Sequence, residues 1–538
     1  MLAHKITGRA REASASPSVS LEKGRYRMRA PSNRPATINE TAHTRARSTS
    51  RPTSTRNSFY LVTLLLLLVA GCLVSFGFAY YLFTTRWGNW HLSSQNPADE
   101  IYQVIEVEAP LSECPTISPH DKFLAYHSHS GFHNQRIALE NALVLSRLLN
   151  RTLIVPPIRL GKPIRYCNYR ALHNHLALSD KSGLKHCAQI PLDSFIPPEC
   201  SGYFDYTHIP WGWLVNLTDV QSQFQLILRH DPTDEWLHRC LGIRDNQVLT
   251  IPESDRYHYR FLDEVTTIAT PSDKYAVGIS IPNISTSGED LLQFGTLFGS
   301  TRLQLRPENT ELRRKAREKM AFSNPILLRV ADAITQELHG TFIGAHVRVG
   351  DGEFLRNGGE TILSIWSTLV YRVLGMSWNE TRPLAALLLA DLGAHSHPES
   401  LTAPYATSSP IELSSLQTHV RCRSKPHSHP SLNPLNIPLF LATDAHEPHT
   451  HPSLALIFRT FPCVFTLSDF PEQLLVMDQI VNGDDGLRLR SFLLPFLDAM
   501  VIGRASNVVG TNGSTFSAFV LDVLWRKYHG LGIRERGI

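Results

Sequence analysis

The stretch Thr341–Asp351, with the sequence TFIGAHVRVGD, restricts the possible folds of this chain more than any other. Its apolar residues, several of them β-branched, predict a buried strand. Arg348 follows the apolar run, and in an open α/β sheet ligands bind at the carboxyl ends of strands. A guanidinium at that place can bind a phosphate through two parallel hydrogen bonds. The alternative is a surface ion pair between Arg348 and Asp351.

A second stretch, Lys122–Pro157, predicts a strand, a loop, a helix and another strand. Phe123–Tyr126 is the first apolar run, and a loop of small residues follows it. Apolar residues then recur at helical spacing from Ile137, and Thr152–Val155 predicts the next strand. The loop of such a βαβ unit directs backbone N–H groups and a helix N-terminus toward a ligand, which makes it a natural phosphate site. The alternative is an ordinary unit of this kind without a ligand.

The second half of the chain repeats the alternation of helix and strand. Asn324-Pro325 is a typical helix start, and Gly340 is a typical helix end. Further apolar runs predict elements in this order: a strand at 342–347, a helix over about 360–374, a strand at 439–442, a helix around 454–458 and a strand at 464–467. Two successive α/β halves, 120–322 and 323–538, predict an α/β fold with two facing Rossmann-like domains.

A polar segment, residues 394–434, interrupts the second half. It is rich in Ser, Pro, His and Thr, which predicts a flexible insertion. Histidines are frequent in and after this segment: His395, His397, His419, His427, His429, His446, His449 and His451. Their spacing matches no compact zinc pattern, so a polar loop is the preferred interpretation and no metal site is expected.

The N-terminal part predicts a membrane anchor. Residues 1–56 hold twelve Lys and Arg against three Glu, in a Ser-, Thr- and Pro-rich composition that is typical of a disordered tail. Residues 57–85 carry no charge and are long and apolar enough to span a bilayer. Because the basic flank is N-terminal, the positive-inside rule predicts a cytosolic tail, a signal anchor and a luminal remainder, which is a type II topology. Residues 86–119 have few apolar clusters and predict a stem.

The cysteines and glycosylation sequons indicate the secretory pathway. Seven cysteines lie beyond the predicted span: Cys114, Cys167, Cys187, Cys200, Cys240, Cys422 and Cys463. Luminal cysteines usually pair, and an odd number leaves one free or bonded to another chain. Sequons occur at Asn150, Asn216, Asn283, Asn379 and Asn512. We therefore expect a protein of the Golgi or endoplasmic reticulum membrane. Because the topology explains the basic tail, no nucleic acid partner is expected.

Three stretches together carry a resemblance to a known family. They are Lys122–Pro157 with its Asn-Gln-Arg loop and LLNRTLIVPP, Thr341–Asp351 with HVR at a strand end, and Asp498–Phe519 with STFS. In this order and context they resemble the GDP-fucose protein O-fucosyltransferase family. The resemblance runs from about residue 122 to the C-terminus and implies the GT-B architecture and GDP-fucose as donor.

The resemblance also implies roles for individual residues. Those that match the family's nucleotide-sugar site are Gly131, Phe132, Asn134, His346, Arg348, Asp498, Ser514, Thr515 and Phe516. Arg348 would stabilise the departing β-phosphate, Ser514 and Thr515 would contact phosphate, Phe516 the base, and Asp498 the guanine edge. Ser514 as a helix cap and Phe516 as a core residue are the alternatives.

Other positions depart from the family or are less defined. His133 stands where the family often has a Gly before the Asn, and His129 lies near the position of a Glu base found in some members. His129 as a base competes with a solvated loop histidine, which is the preferred interpretation. Trp211-Gly212-Trp213 and Phe294–Ser300 are candidates for an acceptor groove, although core packing is expected for most of their aromatic side chains.

These observations predict a membrane-anchored inverting glycosyltransferase that transfers fucose from GDP-fucose to Ser or Thr of a protein. The alternatives are a glycan acceptor, or a non-catalytic binding module on a degenerate fold. The chain contains no Asp-X-Asp, a pattern that metal-bound nucleotide-sugar sites often use, so metal-independent activity is expected.

Overall fold

The structure is a computed structural model that describes Leu68 and residues 104–107, 114–191, 194–231, 233–264, 274–382, 384 and 421–535. The chain divides into two units, Met1–Asp99 and Glu100–Ile538, and the fold below is that of the second. The predicted tail 1–56 and all of the predicted span 57–85 except Leu68 lie outside the described residues. Within the described parts of the chain, no helix has the length and apolar character needed to cross a bilayer.

The strands of this unit are short. They are β1 (Ile105–Val107), β2 (Phe123–Tyr126), β3 (Thr152–Val155), β4 (Ile158–Gly161), β5 (Tyr206–Ile209), β6 (Leu226–Leu228), β7 (Val248–Ile251), β8 (Tyr259–Leu262), β9 (Val277–Ser280), β10 (Leu291–Phe294), β11 (Leu303–Gln304), β12 (Ile343–Val347), β13 (Leu439–Thr443), β14 (Val464–Phe465), β15 (Ile480–Asn482) and β16 (Asn507–Gly510).

The helices alternate with the strands. They are α1 (Phe132–Leu148), α2 (Tyr169–Ala177), α3 (Trp211–Leu214), α4 (Leu217–Gln221), α5 (Asp234–Leu241), α6 (Ile281–Ser285), α7 (Pro307–Lys319), α8 (Pro325–Glu337), α9 (Gly352–Arg356), α10 (Gly358–Ser367), α11 (Ala455–Thr460), α12 (Arg490–Gly503), α13 (Thr515–Phe519) and α14 (Trp525–Tyr528). Asn324 caps α8 by accepting hydrogen bonds from two backbone N–H groups, as predicted.

The first half is built on a parallel sheet of five strands in the order β6-β3-β2-β10-β7. Phe123 of β2 is in register with Leu291 on one side and with Thr152 on the other. All four residues of β2 are buried, as its apolar sequence requires. Along the chain the strands first add on one side of β2, and β10 then joins on the other side. The order therefore reverses beside β2, which is a topological switch point.

The second half is built on a parallel sheet of four strands in the order β14-β13-β12-β16. Ile343 of β12 is in register with Leu439 and with Asn507, and all five residues of β12 are buried. Gly344 lets α12 pack closely on this strand, because an added Cβ would lie 3.2 Å from Ile502 Cβ. The order in which strands are added to this sheet reverses between β12 and β16, which is a second topological switch point. The predicted α/β class with parallel sheets is thereby confirmed.

Part of the predicted stem belongs to the folded unit. Ile105–Val107, within 86–119, forms β1 and pairs in parallel with β15. Val107 is buried, and Cys114 forms a disulfide with Cys240. The short apolar run and the cysteine therefore fix this segment to the globular part, which the low apolar content of the stem as a whole did not indicate.

The predicted insertion is shorter than 394–434 at its C-terminal end. Residues 394–420 lie outside the described residues, whereas 421–434 are folded. Cys422 forms a disulfide with Cys463, and Leu432 is buried in the core of the second half. Because the segment as a whole is polar, its sequence did not indicate that Cys422 and Leu432 join it to the folded core.

The remaining disulfide joins Cys187 and Cys200, while Cys167 is bonded to no other cysteine among the described residues. Within the described residues, the only group of His, Cys, Asp or Glu close enough to hold a metal ion is His186 with Cys187 and Cys200. The two sulfur atoms of that group are bonded to each other, so the group is a disulfide with a neighbouring imidazole.

Candidate functional site

The two switch points open onto a common region. The loop after β2 leads into the N-terminus of α1, and the carboxyl ends of β12 and β16 lead into Arg348 and the segment before α13. A hydrogen bond of 3.2 Å from Thr515 Oγ1 to Asn134 Oδ1 joins the two sides. Because ligands of open α/β sheets bind at such switch points, this region is the candidate site.

Three adjacent clefts make up the site. Cleft 1, of about 440 Å³, and cleft 2, of about 410 Å³, share Asn134, Arg348 and Thr515. Cleft 3, of about 240 Å³, shares Gly131, Phe132, His133 and Phe516 with cleft 2. The three clefts therefore form one continuous groove. The residues shared by neighbouring clefts form the boundaries between them.

Most of the site residues expected from the sequence come together here. Those that line cleft 2 are Gly131, Phe132, Asn134, His346, Arg348, Thr515 and Phe516. Ser514 lines cleft 1 beside Thr515. Asp498 lines none of the three clefts as described. The structure thus gathers eight of the nine residues, although they lie on segments almost 400 positions apart in the chain.

Arg348 makes the ion pair with Asp351 that one interpretation of the sequence expected, and it also lines the groove. Its guanidinium donates to Asp351 Oδ1 and Oδ2 at 3.0–3.2 Å and lies 4.6 Å from the centre of the Phe354 ring. The side chain is 30% exposed and faces clefts 1 and 2. An ion pair with an exposed carboxylate contributes little stability, so this pair orients the guanidinium without occupying all of its donors.

The backbone around Arg348 is held in place by its neighbours. The Arg348 N–H donates to Thr511 Oγ1 at 2.9 Å. Asp444 Oδ1, at the end of β13, accepts from the N–H groups of Val349 and Gly350 at 2.7 and 2.9 Å. A Cβ at Gly350 would lie 2.9 Å from Asp444 Oδ2, so glycine permits this close approach. A rigid turn therefore presents the guanidinium to the groove.

His346 is a neutral ring that packs against the residues of the site. It is buried, its Nδ1 lies 2.6 Å from Ser517 Oγ, and its ring stacks on Phe516 at 4.2 Å. Burial, followed by the positive charge of Arg348, lowers the pKa of His346 to about 3. The imidazole is therefore uncharged at neutral pH, and its contacts fix the position of Phe516.

Ser514 and Thr515 begin the last helical segment. Ser514 Oγ accepts from the Ser517 N–H at 3.4 Å, so the expected alternative of a helix cap is realised. Gly510 allows α13 to approach the sheet, because a Cβ there would lie 2.6 Å from Ser517 Cβ. Thr515 occupies the first helical position and faces the groove. Its hydroxyl and the adjacent backbone N–H groups are suited to an anion.

The loop before α1 is organised by Gln135, which the sequence did not single out. Its amide donates to the carbonyl groups of Ser130 and Arg159 at 3.1 and 2.7 Å and accepts from the Arg159 N–H at 3.0 Å. Gly131 is the N-cap of α1, and its carbonyl accepts from the Asn134 N–H at 3.0 Å. The loop therefore leaves Asn134 facing the groove.

His129 of this loop is buried, whereas His133, at the second position of α1, is partly buried and lines clefts 2 and 3. His129 is 5% exposed and packs against Tyr166 and Phe298, so the preferred interpretation of a solvated loop histidine was wrong. Burial lowers the pKa of His129 to about 4, and burial lowers that of His133 well below its usual value. Both rings are neutral at physiological pH. Aromatic neighbours from distant segments cover them, which the sequence pattern could not show.

Asp498 lies on α12, behind the groove. Ser491 and Pro495, which line cleft 3, precede it by seven and three positions, so the three residues share one helix face. Burial raises the pKa of the Asp498 carboxyl well above its usual value. No hydrogen bond or ion pair joins it to another described residue. A partly covered carboxylate without a protein partner can accept hydrogen bonds from a ligand at the end of cleft 3.

Cations from other segments line cleft 1. They are Arg136, Arg256, Lys274, Arg317 and Arg348, against the one carboxylate Asp522. Arg136 and Arg317 belong to a buried ion-pair network: Glu140 pairs with both, and Glu535 pairs with Arg317 and Arg313. Phe298, Gly299 and Ser300 also line this cleft. The C-terminal end of Phe294–Ser300, which the sequence offered as part of an acceptor groove, therefore reaches the groove. Trp211 is a core residue instead.

The fold and groove define an α/β protein with two parallel sheets whose switch points share one ligand-binding region. No protein-family model matches the chain. O-fucosyltransferase 30 of Arabidopsis thaliana is 60% identical over 37 residues, and these are 7% of this chain and 7% of that relative. The predicted resemblance to the GDP-fucose O-fucosyltransferase family is confirmed on this local match.

Solved structures similar to this chain include POFUT1 in complex with GDP-fucose and the fucosyltransferase NodZ from Bradyrhizobium. For POFUT1 the identity is 11%, the match covers 78% of this chain and 99% of that one, and the TM-score is 0.33. For NodZ the identity is 13%, the coverage is 74% and 92%, and the TM-score is 0.26.

Proposed function

We propose that the protein is a glycosyltransferase that transfers fucose from GDP-fucose to the hydroxyl group of Ser or Thr in a protein acceptor. The observation that carries the proposal is Arg348, a fixed guanidinium that faces a groove lined by residues from both sheets. The local identity to an O-fucosyltransferase supports the choice of donor. The uncharged apolar segment 57–85 and its basic flank support a type II anchor in the Golgi or endoplasmic reticulum membrane.

The chemistry of the groove walls supports one orientation of the donor. The guanine lies toward cleft 3, where Phe516 contacts the ring. The Asp498 carboxylate, on the helix that borders this cleft, accepts from N1–H and the exocyclic amine. The diphosphate lies in cleft 2, between the N-terminus of α1 and the hydroxyl of Thr515. This orientation brings the β-phosphate to Arg348 and the sugar to the border with cleft 1.

Arg348 acts on the bond that breaks. The acceptor oxygen forms a bond to the anomeric carbon while the bond from that carbon to the β-phosphate oxygen breaks, and GDP departs with the electron pair. Attack from the opposite face inverts the configuration. Negative charge grows on the β-phosphate, and a guanidinium donating two hydrogen bonds to it stabilises the transition state. The proton of the acceptor hydroxyl leaves to solvent or to the β-phosphate of the departing GDP.

The proposal is tested by incubating the full-length protein with GDP-fucose and following release of GDP and fucose. Measurable hydrolysis, and GDP binding by calorimetry, support a transferase over a non-catalytic binding module. UDP- and ADP-sugars serve as controls for the base. A protein that neither binds GDP nor hydrolyses GDP-fucose would refute the proposal. A panel of peptide and oligosaccharide acceptors then separates a protein acceptor from a glycan acceptor.

Metal-independent turnover is the first prediction. Arg348 and the N–H groups of α1 can offset the charge of the diphosphate, which in other enzymes a divalent ion does. GDP-fucose hydrolysis should therefore persist with an excess of EDTA and change less than about twofold when Mn²⁺ is added. Loss of nearly all activity in EDTA, restored by Mn²⁺, would contradict the prediction.

A further inference from the structure

Cleft 1 extends past the residues that we assign to the donor. It shares Asn134, Arg348 and Thr515 with cleft 2, and its far side is formed by Arg256, Lys274 and neighbouring residues. The donor residues at the other end of the groove do not reach this side. If the donor occupies clefts 3 and 2 as proposed above, cleft 1 is the space next to the reacting sugar, where the acceptor must lie.

The far side of cleft 1 is positively charged. Arg256 is exposed and makes no ion pair with any described residue. Lys274 lies beside it, and both cations approach the ring of Tyr257, at 5.1 and 4.4 Å from its centre. Burial, and then the charges of Arg302 and Arg256, lower the pKa of Lys274. Cations that repel one another at a groove are stabilised by an anion that enters it.

The backbone conformation next to Arg256 is also unusual. Tyr257 has a φ of 63°, in the left-handed region that non-glycine residues adopt at a cost. Its ring lies within 5.1 Å of both cations and 5.7 Å from the ring of Tyr275. Such strain is typical of segments whose side-chain positions serve binding. The cations are therefore positioned by the fold and are not simply part of a solvated surface.

We propose that the far side of cleft 1 is an acceptor subsite that selects polypeptides with acidic residues next to the modified Ser or Thr. The inference rests on the proposed function. Two separate cations, Arg256 and Lys274, match the separate carboxylates of Asp or Glu side chains in an extended segment. One face of each of the rings Tyr257 and Phe354 is covered by a cation, which leaves less open aromatic surface for stacking a sugar.

The test uses pairs of synthetic Thr peptides that differ only in flanking residues, Glu in one and Gln in the other. With full-length protein and GDP-fucose, kcat/KM for the Glu peptides should exceed that for the Gln peptides by about three- to tenfold, the effect expected of two exposed ion pairs. The preference should shrink as ionic strength rises. In the double variant Arg256→Glu/Lys274→Glu it should reverse toward peptides flanked by Lys.

A matched control is the double variant Arg239→Glu/Lys315→Glu, which makes the same charge change at exposed residues outside the three clefts. It should keep the preference for Glu peptides. GDP affinity, measured by calorimetry, should be unchanged in both double variants.

Three results would overturn the inference. Equal use of Glu and Gln peptides would remove the selectivity. A large loss of GDP affinity in Arg256→Glu/Lys274→Glu would assign the cations to the donor. Transfer to an acidic oligosaccharide such as hexagalacturonate, with no transfer to any peptide, would make the acceptor a glycan. In each case GDP-fucose hydrolysis by the wild-type protein would still support a GDP-fucose-dependent transferase, and only the third result would also change the proposed acceptor. Absence of both GDP binding and hydrolysis would refute the proposed function itself.

Discussion

At the scale of single residues, replacing Arg348 tests whether the groove is catalytic. Removing the guanidinium should lower turnover more than binding, because its contact strengthens as charge grows on the β-phosphate. We predict that Arg348→Ala folds but loses about 10²–10³-fold or more in kcat. Arg348→Lys should also be strongly impaired, since an ammonium cannot donate in parallel. Turnover of GDP-fucose and GDP affinity by calorimetry, on the same full-length samples, measure the difference.

The ion pair with Asp351 provides the control for that prediction. Asp351→Asn removes the charge of the partner but keeps an amide oxygen that can accept from the guanidinium, so Arg348 still faces the groove. It should retain most of the turnover. If Arg348→Ala kept more than about a tenth of wild-type turnover, or if the two variants behaved alike, Arg348 would be only a surface ion-pair residue.

Asp498 gives a prediction about the base and about pH. The carboxylate accepts from two guanine donors in the proposed complex, and inosine has only one of them. Wild-type protein should therefore bind GDP more tightly than IDP by about tenfold, and Asp498→Asn should lose most of that difference. Calorimetry with both nucleotides measures it, and UDP binding is the reference. An unchanged ratio of GDP to IDP affinity in the variant would remove Asp498 from the base site.

The raised pKa of Asp498 fixes the sign of a stability effect. An acid whose pKa is higher in the folded state stabilises the fold below its ordinary pKa and loses that contribution as pH rises through the folded value. Without nucleotide, Asp498→Asn should therefore raise Tm at neutral pH. The gain should disappear below about pH 4, where the wild-type carboxyl is protonated in both states.

At the scale of elements, local signals predicted more than long-range ones. The strand before Arg348, the unit from β2 to β3 and the cap of α8 by Asn324 each follow from a short run of sequence. The pairing of β1 with β15 joins segments about 375 residues apart, and no local pattern encodes it. The burial of His129 depends on Phe298 in the same way. Arg256 and Lys274 carry no motif, so only the folded groove identified them.

The boundary of the insertion gives a prediction at this scale. Deleting 394–420 should leave folding and GDP binding nearly intact, because a segment of this composition buries little apolar surface. Deleting 396–431 should destabilise the protein, since it also removes Cys422 and its bond to Cys463. Losing such a disulfide typically costs about 2–5 kcal/mol. Thermal unfolding of the two deletion variants compares them directly, and equal Tm values would show that residues 421–431 are dispensable.

At the scale of the whole molecule, the end of the chain closes back onto the first half. The Glu535 carboxylate lies 3.5 Å from Arg313 Nε and 3.3 Å from an amino group of Arg317, both on α7. Arg317 also pairs with Glu140 of α1 at 3.0 Å, so one buried network joins α1, α7 and the C-terminal segment. The wall of cleft 1 that contains Arg317 therefore depends on a residue near the C-terminus.

We predict that Glu535→Ala destabilises the protein by about 3–5 kcal/mol, because removing one partner of a buried pair leaves the other charges uncompensated. Arg534→Ala, which truncates the exposed neighbouring side chain, should change stability by less than about 0.5 kcal/mol. Combining Glu535→Gln with Arg313→Gln should recover part of the loss, since a carboxylate and a cation are then removed together. Denaturant unfolding of the full-length variants measures these differences. If Glu535→Ala were no less stable than Arg534→Ala, the network would contribute nothing to holding the two halves together, and the wall of cleft 1 would be maintained by apolar packing alone.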